Sequence, residues 1–295
     1  MIKTLANQTE LTKGHNLNSI VENNFKKVNL KLLIVPIVIL LFFICFFLFS
    51  MEGSFVNTYV ESQKDLFLNL NHLLSIYPNL EYNISYLGDA LVLFPFVFIF
   101  LFLTPKLWEA ILTSSLITLI TCAILKSFFA VPRPAAMIDM STFTIMGRPN
   151  ILHTSLPSGH AMTAFMVITI LLYAFMPKKK ASKILWSVIL ITVGLVIAFS
   201  RVAVGAHYPV DTIIGCTIGY SIAIFGVKIN TKLNWLYWMK NRKFYPIIML
   251  ILSIWAYLVI MKLIKHNMVI FYLSLLALIA TFVVIVNKYA KTIKA

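Results

Sequence analysis

The stretch LLIVPIVILLFFICFFLFSM, Leu32–Met51, holds twenty residues and no charge. As a helix rising 1.5 Å per residue it reaches roughly 30 Å, the thickness of a bilayer's hydrocarbon core. Similar runs follow at Ser85–Leu103, Trp108–Phe129, Ala161–Met176, Ile184–Phe199, Thr212–Val227, Tyr245–Met261 and Met268–Val286. Each is apolar all round, without the alternation of a barrel strand, so each is expected to close its own backbone hydrogen bonds as an α-helix. The whole chain agrees: of 295 residues, 60% are hydrophobic and only 12% charged. Soluble domains carry about 25% charged residues. A soluble enzyme, a disordered tail and a fibrous protein are thereby excluded, and the expected fold class is an all-α, polytopic membrane bundle.

Residues 1–31 are polar and end in Lys26, Lys27 and Lys31, and no small-residue cleavage site follows the first apolar run. The sequence therefore predicts an uncleaved first helix rather than a signal peptide. With the N-terminus inside, 18 of the 25 Lys and Arg residues fall in cytoplasmic segments, which places both termini in the cytoplasm. This bias also accounts for the net charge of +15 without any nucleic-acid partner. Lys262 and Lys265 violate it. Glu52, Glu61, Asp65 and Glu81 fall in the first outer loop. Cys45, Cys122 and Cys216 lie inside apolar runs at wide spacing, with neither a disulfide framework nor a metal spacing. The basic, aromatic segment Asn230–Phe244, with Trp235, Tyr237 and Trp238, reads first as an ordinary interfacial belt, and second as a helix lying on anionic lipid.

Three polar clusters remain once the inner loops are set aside: Lys126 to Arg133-Pro134, Pro157-Ser158-Gly159-His160, and Ser200-Arg201 to His207 and Asp211. The topology, fixed without them, puts all three at the outer ends of helices three to six. Lys126, Arg133 and Arg201 suit an anion, arginine offering a planar fork to phosphate oxygens. Pro132 and Pro134 are expected to end helix three and hold Arg133 on a stiff turn. Ser158 is a good N-cap, Gly159 allows close approach of a ligand, and the free amides of that first turn face the same anion. His207 and Asp211 lie four residues apart around Pro209, which is expected to start a helix. A carboxylate on Nδ1–H leaves Nε2 of His207 free as a nucleophile. His160 then serves as proton donor to the leaving oxygen and as base for water. No carboxylate set suits Mg²⁺ and no thiolate set suits Zn²⁺, so neither a metal nor another cofactor is expected.

These clusters resemble the signature of the type 2 phosphatidic acid phosphatase superfamily, K-x6-RP, PSGH and SR-x5-H-x3-D, at eleven specified positions in the right order. The resemblance implies a six-helix phosphatase core over residues 32–227, with catalytic His207, His160 and Asp211 and a phosphate cradle of Lys126, Arg133, Ser158, Gly159 and Arg201. It also implies relationship to soluble vanadium haloperoxidases, an activity the apolar spans argue against. Around this core lie the tail 1–31, a basic loop 228–245 and two extra helices in 246–295. The expected activity is hydrolysis of a lipid phosphate or diphosphate at the outer face of a bacterial inner membrane. Undecaprenyl diphosphate and lipid A phosphates are favoured over phosphatidylglycerol phosphate and phosphatidic acid; the alternative is a phosphotransferase. The partners are the lipid substrate and membrane lipids.

Smaller readings complete the analysis. His72, His153 and His266 read as structural, and Tyr208 as an interfacial aromatic. Asp89 reads as an interfacial residue, with a cation partner as second choice. The stretch Ala135–Leu156 is either a headgroup-selecting lid or a plain outer loop.

Overall fold

The computed structural model describes residues 17–293 except 52, 102, 237, 239 and 240. The tail before residue 17, Glu52, Tyr237, Lys240 and Lys294 lie outside the described residues. The described chain is helical and contains no strand.

Helix α1 (17–26) lies at the end of the bundle where α9 finishes, and the Asn24 amide donates there to the carbonyls of Ala174 and Met176 at 3.0 and 3.3 Å. Asn29 caps the turn that opens α2, which runs as one apolar span over Leu30–Phe49. The stretch read as the first outer loop forms α3 (Phe55–Glu61) and α4 (Lys64–Leu74). These short helices bury Tyr59, Val60, Phe67 and Asn71 against the outer end of the bundle.

The run Ser85–Leu103 was expected as one straight span and is not one. It is broken between α5 (Pro78–Tyr86) and α6 (Ala90–Phe98, continued as a tight turn to Leu101), with a bend of 69°. Tight turns take up the amides of Leu87, Gly88 and Asp89, and the Asp89 carboxylate accepts the Leu91 N–H at 2.9 Å as the N-cap of α6. The break is thus bridged by hydrogen bonds from the amides of Leu87, Gly88, Asp89 and Leu91.

The remaining runs lie close to their expected positions, most of them longer than expected, whereas the fourth ends earlier, at Ala174. Helix α7 (Pro105–Phe129) ends on Ala130, which takes the left-handed conformation at φ 46° before Pro132 and the short α8 (Pro134–Met137). Then come α9 (Gly159–Ala174), α10 (Lys180–Ala203) and α11 (Pro209–Asn230). Helix α9 is the central element, touching α7, α10 and α11. The closest approach is to α11: a Cβ at Gly219 would stand 2.4 Å from the Met162 carbonyl oxygen, so only glycine allows this packing. The last two helices, α12 (Tyr245–His266) and α13 (Val269–Ile293), pack on each other and along α5 and α6.

At the inner end of α7, Lys106 is buried in an ion pair with Glu109 at 2.8 Å and donates to the carbonyls of Asn230, at 2.8 Å, and Leu233. Glu109 also accepts the Leu236 N–H at 3.1 Å, and the Trp235 indole donates to Thr113. The start of the segment Asn230–Phe244 is thus tied down on α7.

Candidate active site

The site lies where the C-terminal end of α7 and the N-terminal ends of α9 and α11 meet the turn after α10. Each polar cluster is tied to the other two. The Arg133 guanidinium donates to the carbonyls of Ala206 at 3.3 Å and Thr154 at 3.5 Å, joining the first cluster to the third. The Ser158 N–H donates to the Asp211 carbonyl at 3.1 Å, joining the second to the third. At Gly159 a Cβ would stand 3.2 Å from Cys122 Sγ and 3.9 Å from Lys126 Nζ, so the first turn of α9 faces Lys126. Ser158 is the N-cap of α9, and its hydroxyl accepts from the Ala161 N–H at 3.5 Å.

His207 lies in the turn between α10 and α11, 1% exposed. Its Nδ1 is 3.3 Å from Asp211 Oδ2. Pro209 opens α11 and puts Asp211 in its first turn, where Oδ2 also accepts the Tyr208 N–H at 2.9 Å. Two further donors converge on this fully buried carboxylate: the Tyr59 hydroxyl at 2.6 Å and the Ser155 hydroxyl at 2.5 Å. A carboxylate removed from water keeps its charge only when donors replace the lost hydration, and here four groups do so. Burial first and the Asp211 charge second hold the Tyr59 phenol well above its ordinary pKa, so it acts as a fixed donor.

Burial pushes the His207 imidazole well below its ordinary pKa, and Arg133, Arg201, Lys126 and His160 push in the same direction. The ring is neutral at neutral pH. With Nδ1–H directed at Asp211, Nε2 carries the free lone pair. The groups named here come from all three clusters: Lys126 and Arg133 from the first, His160 from the second and Arg201 from the third.

The cradle is incompletely satisfied by the protein. The Nε atoms of Arg133 and Arg201 are buried without a hydrogen-bond partner. Arg201 does donate from Nη1 to the Ser85 hydroxyl on α5. His160, in the first turn of α9, packs against the bend of the second span: a Cβ at Gly88 would stand 2.7 Å from His160 Cβ. Among the described residues no three His, Cys, Asp or Glu side chains gather as a metal site.

Tyr59, Ser155, Ser85 and Gly88 were missed in the sequence. Ser155 lies three residues before Ser158 and could have been suspected; the others carry no local signal. Tyr208 is corrected: it is fully buried among Tyr59 and Phe67, because α3 and α4 cover it. Asp89 is corrected too: its partner is a cation, Lys262 of α12. In the stretch Ala135–Leu156, Phe143 packs on Phe67, and Thr144 exchanges hydrogen bonds with Asn71, so this part is pinned to α4. His72 and His153 are exposed, and His266 packs beside Tyr86 and Phe271.

Comparisons with known proteins gave the following. No curated protein sequence matches the chain. The crystal structure of Aquifex aeolicus LpxE shares 27% identity, covering 56% of this chain and 94% of that one, with a TM-score of 0.46. The family model of the PAP2 superfamily matches residues 107–235, which contain all eleven motif positions. Over residues 107–235 the chain is thus similar to the PAP2 superfamily.

Proposed function

We propose that the protein hydrolyses a lipid phosphate or diphosphate through a phosphohistidine on His207, with the site at the outer face of a bacterial inner membrane. Similarity to the superfamily and the apolar helices support the coarser class, a membrane phosphatase acting on lipid phosphates. The observation that carries the finer reading is the neutral, buried His207, with Nδ1 on Asp211 and three cations acting on its ring.

In the first half-reaction the Nε2 lone pair of His207 attacks phosphorus and the bond to the lipid oxygen breaks. His160 supplies the proton that the leaving oxygen takes up. Asp211 stabilises the charge that develops on the phosphorylated ring. Lys126, Arg133, Arg201 and the first-turn amides of α9 take the three equatorial oxygens, and the unpartnered Nε atoms provide unused donors for that purpose. In the second half-reaction His160 removes a proton from water, the water oxygen bonds phosphorus, and the P–N bond breaks to release phosphate and restore His207. The chain's own side chains supply every charge and proton in this sequence.

The lysine count supports cytoplasmic termini and an outward site. Helix α9 has 16 residues, roughly 24 Å at 1.5 Å per residue, so a helix starting at the inner face ends short of the outer one. That supports a pocket at headgroup depth, reachable by a lipid phosphate from within its leaflet. Undecaprenyl diphosphate and lipid A phosphates suit such a site best. Residues 32–227 form the proposed phosphatase core.

The test is phosphate release from a polyprenyl diphosphate, a lipid A phosphate, phosphatidylglycerol phosphate and phosphatidic acid, each in mixed micelles containing EDTA. Wild type is expected to release phosphate from at least one, and His207→Ala from none. Equal background release by both would overturn the reading. Transfer to an added lipid or sugar acceptor with no phosphate released in its absence would identify a phosphotransferase instead.

A further inference from the structure

Helices α12 and α13 lie outside the residues matched by the superfamily. Their docking is specific. The Trp255 indole donates to the Leu91 carbonyl at 2.8 Å, the Ser274 hydroxyl donates to the Val92 carbonyl at 3.2 Å, and the Asn83 side-chain oxygen accepts the Ile270 N–H at 3.0 Å. Phe271 packs on Tyr86 with ring centroids 4.9 Å apart, and Trp255 stacks on Phe94 at 5.8 Å. Every one of these contacts falls on the bent second span, on one side or the other of its break.

The break is also where the second span meets the site. Ser85 accepts from Arg201, and Gly88 presses on His160. Between these two contacts and the C-terminal helices stands Asp89. One of its oxygens caps α6, and the other takes the Lys262 ammonium of α12. Lys262 also lies over the Tyr86 ring, 5.4 Å from its centroid. Both partners are largely withdrawn from solvent, with side chains 31% and 22% exposed. The pair reaches the catalytic groups electrically as well: Lys262 acts on His160, and Asp89 acts on Arg201. Lys262 is one of the two outer cations that the topology of the chain leaves without a reason.

We propose that Lys262 is a positioning residue of the active site. Its ion pair with Asp89 fixes the bend that holds Gly88 against His160 and Ser85 against Arg201. The C-terminal hairpin is then a wall of the site and not an appendage. The proposal rests on the phosphatase reading above. A shift of the bend by a fraction of an ångström would move His160 and Arg201 relative to the bound phosphate, and misplacement of about 1 Å costs up to about 10²-fold in rate.

The test uses the full-length protein in mixed micelles, with the lipid that wild type turns over fastest in the panel above. Lys262→Met is expected to lower kcat about tenfold to a hundredfold while KM changes less than about threefold. Lys262→Arg should stay close to wild type. The exchange of Asp89→Lys with Lys262→Asp should recover most of the kcat that either single change loses. Lys265→Met, an exposed neighbour on the same helix, should leave kcat unchanged. If Lys262→Met fails to fold, the Arg variant and the exchange still decide the matter. Full kcat in folded Lys262→Met, or an exchange that restores the melting temperature without restoring kcat, overturns the proposal. An inactive wild type overturns both readings; an active wild type with inactive His207→Ala and unaffected Lys262→Met overturns this one alone.

Discussion

The two ends of helix α7 carry buried cations of opposite character. At the inner end Lys106 is saturated, with Glu109 at 2.8 Å and the carbonyls of Asn230 and Leu233 around its ammonium. At the C-terminal end the Lys126 ammonium makes no hydrogen bond among the described residues, and Arg133 and Arg201 nearby each keep a buried Nε without a partner. Burying a charge is costly unless it is paired. The Lys106 ammonium meets that cost from within the chain, through Glu109 and two backbone carbonyls. The outer cluster does not, and three cations face one neutral imidazole. On the proposed function, the contrast separates a cation that holds helices together from cations kept ready for an anion supplied from outside.

This contrast implies that substitutions at the inner end act on stability and those at the outer end act on turnover. The largest effect is expected inside. Lys106→Met leaves Glu109 buried without its partner and should cost about 3–5 kcal/mol, read as a fall in the denaturation midpoint, while the folded fraction keeps its kcat. A variant as stable as wild type would break the distinction. Next is Arg133→Lys. An ammonium cannot reproduce the fork, and loss of one such donor is expected to lower kcat by about 10²-fold with a nearly unchanged melting temperature. Full activity would show that the cradle is drawn wrongly.

The pH dependence sharpens the same point. In the proposed mechanism neutral His207 is the nucleophile, and burial depresses its pKa in the fold. Activity should therefore hold as pH falls to 6.5, then drop about tenfold per pH unit once the ring protonates. The stability contributed by a histidine buried neutral has the same sign: it is complete above pH 6.5, the unfolded value, and is lost as pH falls through the lower folded value. An acid limb of kcat/KM centred above pH 7 would contradict the assignment. The smallest effect is expected at Ala130, where a non-glycine residue takes φ 46° between Lys126 and Arg133. Ala130→Gly removes that steric cost and should change stability by less than about 1 kcal/mol in the stabilising direction, with activity preserved.

Sequence and structure meet unevenly along the chain. The spans are legible because lipid imposes a simple rule, an uninterrupted apolar run closed by its own hydrogen bonds, and Leu32–Met51 needs nothing else. The motif residues are legible because charged and hinge residues beside apolar runs have few structural reasons to exist. The break in the second span is not, because Gly88-Asp89 sits inside an apolar run and the bend depends on partners far away in the chain. One is His160; the other is Lys262, 173 residues from Asp89. Tyr59 and Asn71 escape for a related reason. They lie on helices of seven and eleven residues, too short for periodicity to speak, and their partners in the third cluster are set only by tertiary packing.

The central claim is covalent and can be read directly. Wild-type protein mixed with a ³²P-labelled lipid phosphate and quenched within one turnover should carry label that is stable to base and labile to acid. Peptide mapping should put that label on His207, and His160→Ala should accumulate it. Label on another residue, or steady turnover with no protein-bound phosphate at any time before the first release, would contradict the account.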